Sequence, residues 1–141
     1  MKRDPNKLLI DNKLKQTRPR LLVLEQIIGR SAAVSQPELE KTLKQEVDRV
    51  TLYRTLTTFE EKGILHKIMG SDGKANYAMC DTKCTIDHHQ DQHLHFSCST
   101  CQKIYCLDIQ IPNIAIPNHF NVDAMQVMAT GTCETCSKKP K

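Results

Sequence analysis

Two Cys-x-x-Cys pairs constrain this chain of 141 residues more than any other feature of its sequence. One pair is Cys98 and Cys101, and the other is Cys133 and Cys136. Each pair places two thiolates on one tight turn, and two such turns supply the four sulfur ligands that zinc binds tetrahedrally. Four sulfurs leave no open position for catalysis, so the pattern predicts a structural zinc site. Residues 102–132 are too many for a simple zinc ribbon, and we expect strands and a helix between the pairs.

The distribution of cysteine and charge divides the chain into two halves. All seven cysteines lie within residues 80–136. Residues 1–80 have 15 Lys or Arg against 10 Asp or Glu, a net charge of +5, whereas residues 81–141 have 5 against 6, a net charge of −1. We therefore expect a basic domain over residues 1–82, the better candidate for a nucleic-acid surface, and a metal-binding domain over residues 83–141.

Neither a signal peptide nor a membrane span is indicated. Residues 1–7 are polar and charged, and no apolar run approaches the length of a membrane span. We expect a cytoplasmic protein without a membrane partner, and in a reducing compartment clustered cysteines are typical of metal sites rather than of disulfides. The alternative for the cysteine pairs is a dithiol redox site, but that chemistry needs only one such motif at the start of a helix.

The first half of the chain has the signals of three helices and a hairpin. Each helical pattern of apolar residues begins at a residue type that caps helices: Thr17, Ser35 and Asp48. Gly29 and Gly63 can end the first and third helices. A hairpin with a glycine-rich turn is expected over residues 64–79. Three helices followed by a two-stranded wing predict a winged helix-turn-helix.

The third helix, expected from Asp48 to about Lys62, has two different faces. At about 100° per residue, three apolar side chains share the face that must pack on the core: Leu52, Leu56 and Phe59. The rest of its surface carries candidate DNA contacts: Thr51, Tyr53 and Arg54. Arginine can bind guanine or phosphate, and threonine or tyrosine can contact phosphate or a thymine methyl group. This face favours a major-groove reader, and the alternative is an exposed helix without a partner.

A second group of candidate metal ligands accompanies the cysteine pairs. His93 and His95 share one side of an extended segment, since side chains alternate along a strand. Cys106 lies on the next predicted strand, and Cys80 ends the wing. This group predicts a second, exchangeable metal site, and solvated histidines with incidental cysteines are the alternative. Four neighbouring residues stay open as further ligands: Cys84, His88, His89 and His119.

Several motifs, taken in order, resemble the ferric uptake regulator superfamily. They are Thr17-Arg18-Pro19-Arg20, Val50-Thr51-Leu52-Tyr53-Arg54-Thr55-Leu56, Phe59-Glu60-Glu61-Lys62-Gly63-Ile64, His93-x-His95-x-x-Cys98-x-x-Cys101 and Gly131-Thr132-Cys133-x-x-Cys136. The resemblance covers about residues 8–137. It implies a homodimer with a shared sheet, in which a corepressor ion closes two readers onto a palindromic operator. It also implies that Tyr53 and Arg54 contact bases and phosphates, with Lys15 and Arg20 on supporting backbone contacts.

The chain departs from the iron- and peroxide-sensing members of that family at their metal positions. Residues that do not match those members' histidines and carboxylates stand at six positions: Ala33, Ala78, Gln92, Leu94, Cys106 and Met125. Zinc-sensing members have a cysteine at the end of the wing, which Cys80 matches. Thiolates favour zinc over iron(II) and manganese(II), which prefer oxygen donors. We therefore expect zinc as the regulatory metal, with iron as the alternative.

Together these patterns predict an α+β protein, an N-terminal winged helix-turn-helix followed by a small α/β dimerisation domain with a structural zinc. The expected function is a metal-dependent transcriptional repressor that binds double-stranded operator DNA as a homodimer. The alternative is a zinc-stabilised protein-interaction module without sequence-specific DNA binding. We do not expect an enzyme, because beyond the crowded histidines no open metal position or nucleophile–base pair is indicated. The His-x-Glu signature of zinc deaminases is also missing from the sequence.

Overall fold

The computed structural model describes four stretches of the chain: residues 3–70, 72–79, 93–123 and 125–138. At His93, Asp108 and Gln110 only the backbone is described. The chain divides into two compact units between His89 and Gln90. That division falls outside the described residues, so a domain boundary after residue 82 stays a prediction. Within the described residues, no helix is long and apolar enough to cross a membrane.

The first unit combines helices with a three-stranded antiparallel sheet. Its described elements are α1 (Pro5–Asp11), α2 (Arg18–Ile27), β1 (Val34–Ser35), α3 (Gln36–Leu43), α4 (Arg49–Glu61), β2 (Leu65–Met69) and β3 (Ala75–Met79). Strand β3 lies between β1 and β2. The three predicted helices and the hairpin are confirmed, whereas α1 and the short strand β1 were not predicted.

Local capping chemistry sets the ends of these helices. The side chains of Ser35 and Asp48 each accept a hydrogen bond from the backbone N–H three residues further on, at 3.2 and 3.1 Å. Thr17 is the N-cap of α2, but its side chain makes no capping hydrogen bond. Gly63 follows α4 with a φ of 74°, a left-handed conformation that glycine adopts without the usual steric cost. This turn directs the chain into β2.

An apolar core fixes the orientation of α4. The predicted inward stripe is confirmed, because Leu52, Leu56 and Phe59 are all buried. They belong to one cluster with residues of the other helices: Leu9, Val23, Leu24, Ile27, Leu39 and Leu43. Burying one such side chain contributes about 1.5–3 kcal/mol, so rotating α4 would be costly. The opposite face of α4 is therefore held towards solvent.

The second unit is a three-stranded sheet followed by one turn of helix. Its described elements are β4 (His93–Cys98), β5 (Ile104–Gln110), β6 (Met128–Gly131) and α5 (Glu134–Ser137). Strand β4 is central, antiparallel to β5 and parallel to β6. A parallel neighbour requires a long connection, and residues 111–127 supply it.

The helix expected between the two cysteine pairs is not formed in the described part of this connection. Residues 111–127, all described except Ala124, contain a turn but no helix. Pro112 and Pro117 lie within them, and proline lacks the N–H that a helix interior needs and disfavours helical backbone before it. The expectation of a helix was therefore wrong, while the expectation of strands was correct.

Candidate metal centre and nucleic-acid interface

The two cysteine pairs converge at one end of the second sheet. Cys98 ends β4, Cys101 follows it on a turn, Cys133 is the N-cap of α5, and Cys136 lies within α5. Their four sulfur atoms all lie within 4.8 Å of one another. The sulfurs of Cys101 and Cys133 are 3.8 Å apart. Zinc–sulfur bonds of about 2.3 Å in a tetrahedron place the sulfurs about 3.8 Å apart, so the four side chains fit zinc.

Hydrogen bonds hold the two cysteine turns together. The Sγ atom of Cys98 accepts the backbone N–H of Cys101 at 3.5 Å and that of Cys133 at 3.3 Å. The carbonyl of Gly131 accepts both the backbone N–H and the hydroxyl of Ser99, at 2.8 and 3.1 Å. The parallel register of β4 and β6 places Cys98 opposite Gly131. This strand pairing brings together two turns that are far apart in sequence.

The surroundings of the sulfurs favour the thiolate form at two of them. The backbone N–H groups of Cys101 and Cys133 lower the pKa of the Cys98 thiol to about 6. The backbone N–H of Cys136 likewise lowers the pKa of Cys133. Desolvation opposes ionisation of Cys136 and raises the pKa of its thiol to about 12. Zinc binds thiolates, and when bound it would supply the positive charge that favours the ionised form of all four.

The residues predicted for a second metal site are only partly described. His95 on β4 lies directly opposite Cys106 on β5, where His95 is 1% exposed and Cys106 is half-buried. The side chain of His93 and the whole of Cys80 lie outside the described residues. The same holds for three of the residues left open as ligands: Cys84, His88 and His89. His119 is exposed, and among described side chains three or more candidate ligands converge only at the four cysteines.

The outer face of α4 presents most of the predicted DNA contacts. Tyr53 is 55% exposed, and Arg54 is exposed beside it. Thr51 is half-buried. Its hydroxyl donates a hydrogen bond to the carboxylate of Asp48, so this hydroxyl takes part in the N-terminal cap of α4. Val50 also lies on this face and is 58% exposed. Val50 can offer an apolar contact, which was not among the DNA contacts predicted for this helix.

Basic residues lie together at the start of α2. The guanidinium of Arg20 donates a hydrogen bond to the backbone carbonyl of Lys15 at 3.0 Å, and the side chain of Lys15 is exposed. Arg49 begins α4 and is largely exposed, with its Nε atom 3.4 Å from a carboxylate oxygen of Glu40. It was not among the predicted DNA contacts, and it directly follows Asp48, the N-cap residue of α4.

Two solved structures share this fold. One, described as holo XcZur, is 17% identical with a TM-score of 0.65, and the match covers 96% of this chain and 100% of that one. The other, a zinc uptake regulator complexed with zinc and DNA, is 20% identical with a TM-score of 0.63, covering 94% of this chain and 90% of that one. The predicted α+β architecture, a winged helix followed by a smaller α/β domain, is confirmed.

Sequence comparison identifies the family. Residues 11–126, most of the chain, match the model of the ferric uptake regulator family. The ferric uptake regulation protein of Bordetella parapertussis is 29% identical over 138 residues, covering 89% of this chain and 91% of that protein. The chain belongs to the ferric uptake regulator family. It is therefore a DNA-binding, metal-binding transcription regulator and not an enzyme.

Proposed function

We propose that this chain is a zinc-responsive repressor that binds palindromic operator DNA as a homodimer in the cytoplasm. The observation that carries the proposal is the orientation of α4. Its apolar stripe is buried, so Tyr53 and Arg54 are held on a face free to enter the major groove. The N-terminus of α4 adds a partial positive charge near phosphates. A protein of the same fold that is described as complexed with zinc and DNA supports this role.

The proposed contacts divide into two kinds. Tyr53 and Arg54 would contact base edges and nearby phosphates, with Thr51 beside them. Lys15 and Arg20, joined by a hydrogen bond at 3.0 Å, would contact the phosphate backbone. Phosphate contacts set orientation and salt dependence, whereas base contacts set sequence preference. The two kinds are therefore separable by experiment.

Replacing Arg54 tests the reader assignment. Arg54→Ala should weaken operator binding by about 1–3 kcal/mol and relax specificity, because a paired arginine contributes that much discrimination. Lys15→Ala should weaken binding to all sequences similarly and lower the salt slope by about one. Fluorescence anisotropy with operator and scrambled duplexes at several salt concentrations measures both.

Arg30→Ala is the matched control for lost charge. Arg30 lies outside α4, and its side chain pairs with Glu38 at 3.1 Å, so its loss should leave operator preference unchanged. If Arg54→Ala behaves like Arg30→Ala, α4 is not the reader. If the wild-type chain binds operator and scrambled duplexes equally, the zinc-stabilised protein-interaction module becomes the better description.

For the regulatory ion we propose four ligands, His93, His95, Cys106 and Cys80. The cross-strand pairing of His95 with Cys106 supports the proposal that both side chains bind the same ion. A histidine and a cysteine also form a softer donor pair than the carboxylate-containing sites suited to iron(II) or manganese(II). Zinc is therefore the favoured corepressor, in addition to the zinc proposed for the four cysteines of the two pairs.

Exposed apolar side chains in the second unit support a homodimer. In the isolated chain, six large apolar residues are exposed on β5 and on the connection from β5 to β6: Ile109, Ile114, Ile116, Phe120, Val122 and Met125. Strand β5 is at one edge of the described sheet, so its outer backbone groups can pair with a second copy. A symmetric dimer would cover this surface and present two readers to a palindrome.

A further inference from the structure

The outer face of α4 carries a stripe of four exposed side chains: Val50, Tyr53, Arg54 and Thr57. They follow one another at spacings of one, three and four residues. At about 100° per residue, all four lie within an arc of about 100°, opposite the buried apolar stripe of the same helix. This exposed stripe is the surface that α4 offers to a partner.

Three threonine hydroxyls of α4 donate their protons within the helix. The hydroxyl of Thr57 donates to the backbone carbonyl of Tyr53 at 2.9 Å, and that of Thr55 donates to the carbonyl of Thr51 at 2.7 Å. The hydroxyl of Thr51 donates to the carboxylate of Asp48. Thr57 therefore offers a partner its methyl group and an acceptor oxygen, but no donor. The hydrogen-bond donors of the exposed stripe are the side chains of Tyr53 and Arg54.

Methyl groups on this face favour one DNA base. In the major groove, the C5-methyl group of thymine is the apolar group that base edges present. A valine packed against an amino group or a ring nitrogen would remove that polar group from water without a hydrogen-bond partner, which is costly. Residues 50–57 contain no carboxylate that could accept the amino group of cytosine. The stripe is therefore suited to thymine.

We propose that Val50 and Thr57 read thymine methyl groups and so determine part of the operator sequence. The inference rests on the proposed DNA-binding role of α4. Val50 lies in the first turn of α4, the part of a recognition helix that contacts base edges. Seven residues at 1.5 Å each separate Val50 from Thr57 by about 10 Å along the helix. Base pairs are about 3.4 Å apart, so the two side chains would contact different thymines.

Deoxyuridine in place of thymidine tests this role in the unmodified protein, because it removes the methyl group and keeps every hydrogen-bonding group of the base. The probe is the duplex that the wild type selects from a random library in the presence of zinc, or of iron(II) if zinc does not activate binding. Each thymidine of one half-site is replaced in turn, and fluorescence anisotropy measures the affinity. Affinity should fall about 4-fold at the thymines that Val50 and Thr57 contact, as expected for one buried methyl group.

Variants assign each effect to one side chain. Val50→Ala should bind the thymine and uracil duplexes equally at one of these positions. Thr57→Ser should do so at the other, because serine keeps the hydroxyl and lacks the methyl group. Thr57→Val should keep the thymine preference there, because valine keeps the methyl group and lacks the hydroxyl. Ile10→Ala is the control for a lost apolar side chain: Ile10 is 61% exposed on α1, and its loss should leave every uracil effect unchanged.

Two results would overturn the proposal while leaving the proposed operator binding intact. One is equal binding of all uracil-substituted duplexes by the wild type. The other is a thymine preference that Thr57→Ser keeps and Thr57→Val loses, because the hydroxyl would then be the group that reads the base. A wild-type protein that selects no common sequence would overturn the proposed operator binding, and this inference with it.

Discussion

Cys98 has the central position among the four sulfur ligands. It is fully buried, and its sulfur accepts N–H groups from both cysteine turns. Serine at this position keeps the approximate shape but is a poor zinc ligand at neutral pH. We expect Cys98→Ser to lose the metal, unfold the second unit and abolish the dimer, because structural zinc sites supply folding free energy directly.

Metal content by atomic emission and molar mass by light scattering measure these effects. Cys106→Ser is the matched control, since Cys106 is outside the four-cysteine cluster and its loss should leave one zinc per chain. A Cys98→Ser protein that stays dimeric and unfolds cooperatively without metal would refute the structural assignment.

Gln102, directly after the first cysteine pair, has a backbone conformation suited to glycine. Its φ is 64°, in the left-handed region that costs other residues about 1–2 kcal/mol. Its side-chain amide donates a hydrogen bond to the carbonyl of Ser99 at 2.9 Å, which offsets part of that cost. We expect Gln102→Gly to stabilise the second unit by up to about 1 kcal/mol.

Urea unfolding of the zinc-loaded protein measures the gain. Gln102→Ala is the control, because it keeps the unfavourable φ and loses the hydrogen bond to Ser99. It should be less stable than the wild type. Equal stability of the glycine and alanine variants would show that the backbone is not strained at this position.

At the scale of elements, the start of α4 depends on one carboxylate. Asp48 accepts hydrogen bonds from the hydroxyl and the backbone N–H of Thr51, and these lower the pKa of Asp48. A lowered pKa in the folded state means that the stabilisation is present above the unfolded value of about 4. It is lost as pH falls through the lower folded value. We expect Asp48→Ala to lower the melting temperature of the first unit by a few degrees at pH 7.

The melting temperatures at low pH test whether the charge of Asp48 is the cause of this stabilisation. Scanning calorimetry should show the difference between wild type and Asp48→Ala shrinking as pH falls below about 4. A difference of the same size at all pH values would indicate that the charge of Asp48 does not contribute to the cap.

Elements with ends set by local chemistry were predictable, and elements that depend on distant pairing were not. Ser35, Asp48 and Gly63 mark helix ends through their own side chains or backbone freedom, and the structure has helix ends at all three. Strand β1 has only two residues and exists through its pairing with β3. Strand β6 likewise depends on its parallel pairing with β4. Neither pairing leaves a local pattern in the sequence.

The candidate metal centre shows the same limit. The spacing of the four cysteines was enough to predict that they could share one ion, because each pair needs only a tight turn. The convergence of the two cysteine turns depends on the parallel register of β4 and β6, which places Cys98 opposite Gly131 and which spacing does not specify. The exposed side of α4 was predictable because the buried stripe of one helix fixes its opposite face.

At the scale of the whole molecule, the proposed repression requires that metal binding favour the DNA-competent arrangement of the proposed dimer. Moving such an equilibrium from 1:99 to 99:1 requires about a 10⁴-fold preference of the ion for that arrangement. The proposed ligands come from separate parts of the sequence. Cys80 follows β3, whereas His95 lies on β4 and Cys106 on β5.

Operator binding by the one-zinc protein, followed by fluorescence anisotropy at controlled free concentrations of zinc, iron(II) and manganese(II), tests this proposal most directly. We predict weak binding without a second metal, activation by zinc at the lowest free concentration, and no zinc response in a Cys80→Ala, Cys106→Ala double variant. The double variant should keep its first zinc. Equally tight operator binding without a second metal, equal activation by iron(II), or a full zinc response in the double variant would contradict the zinc-sensing mechanism.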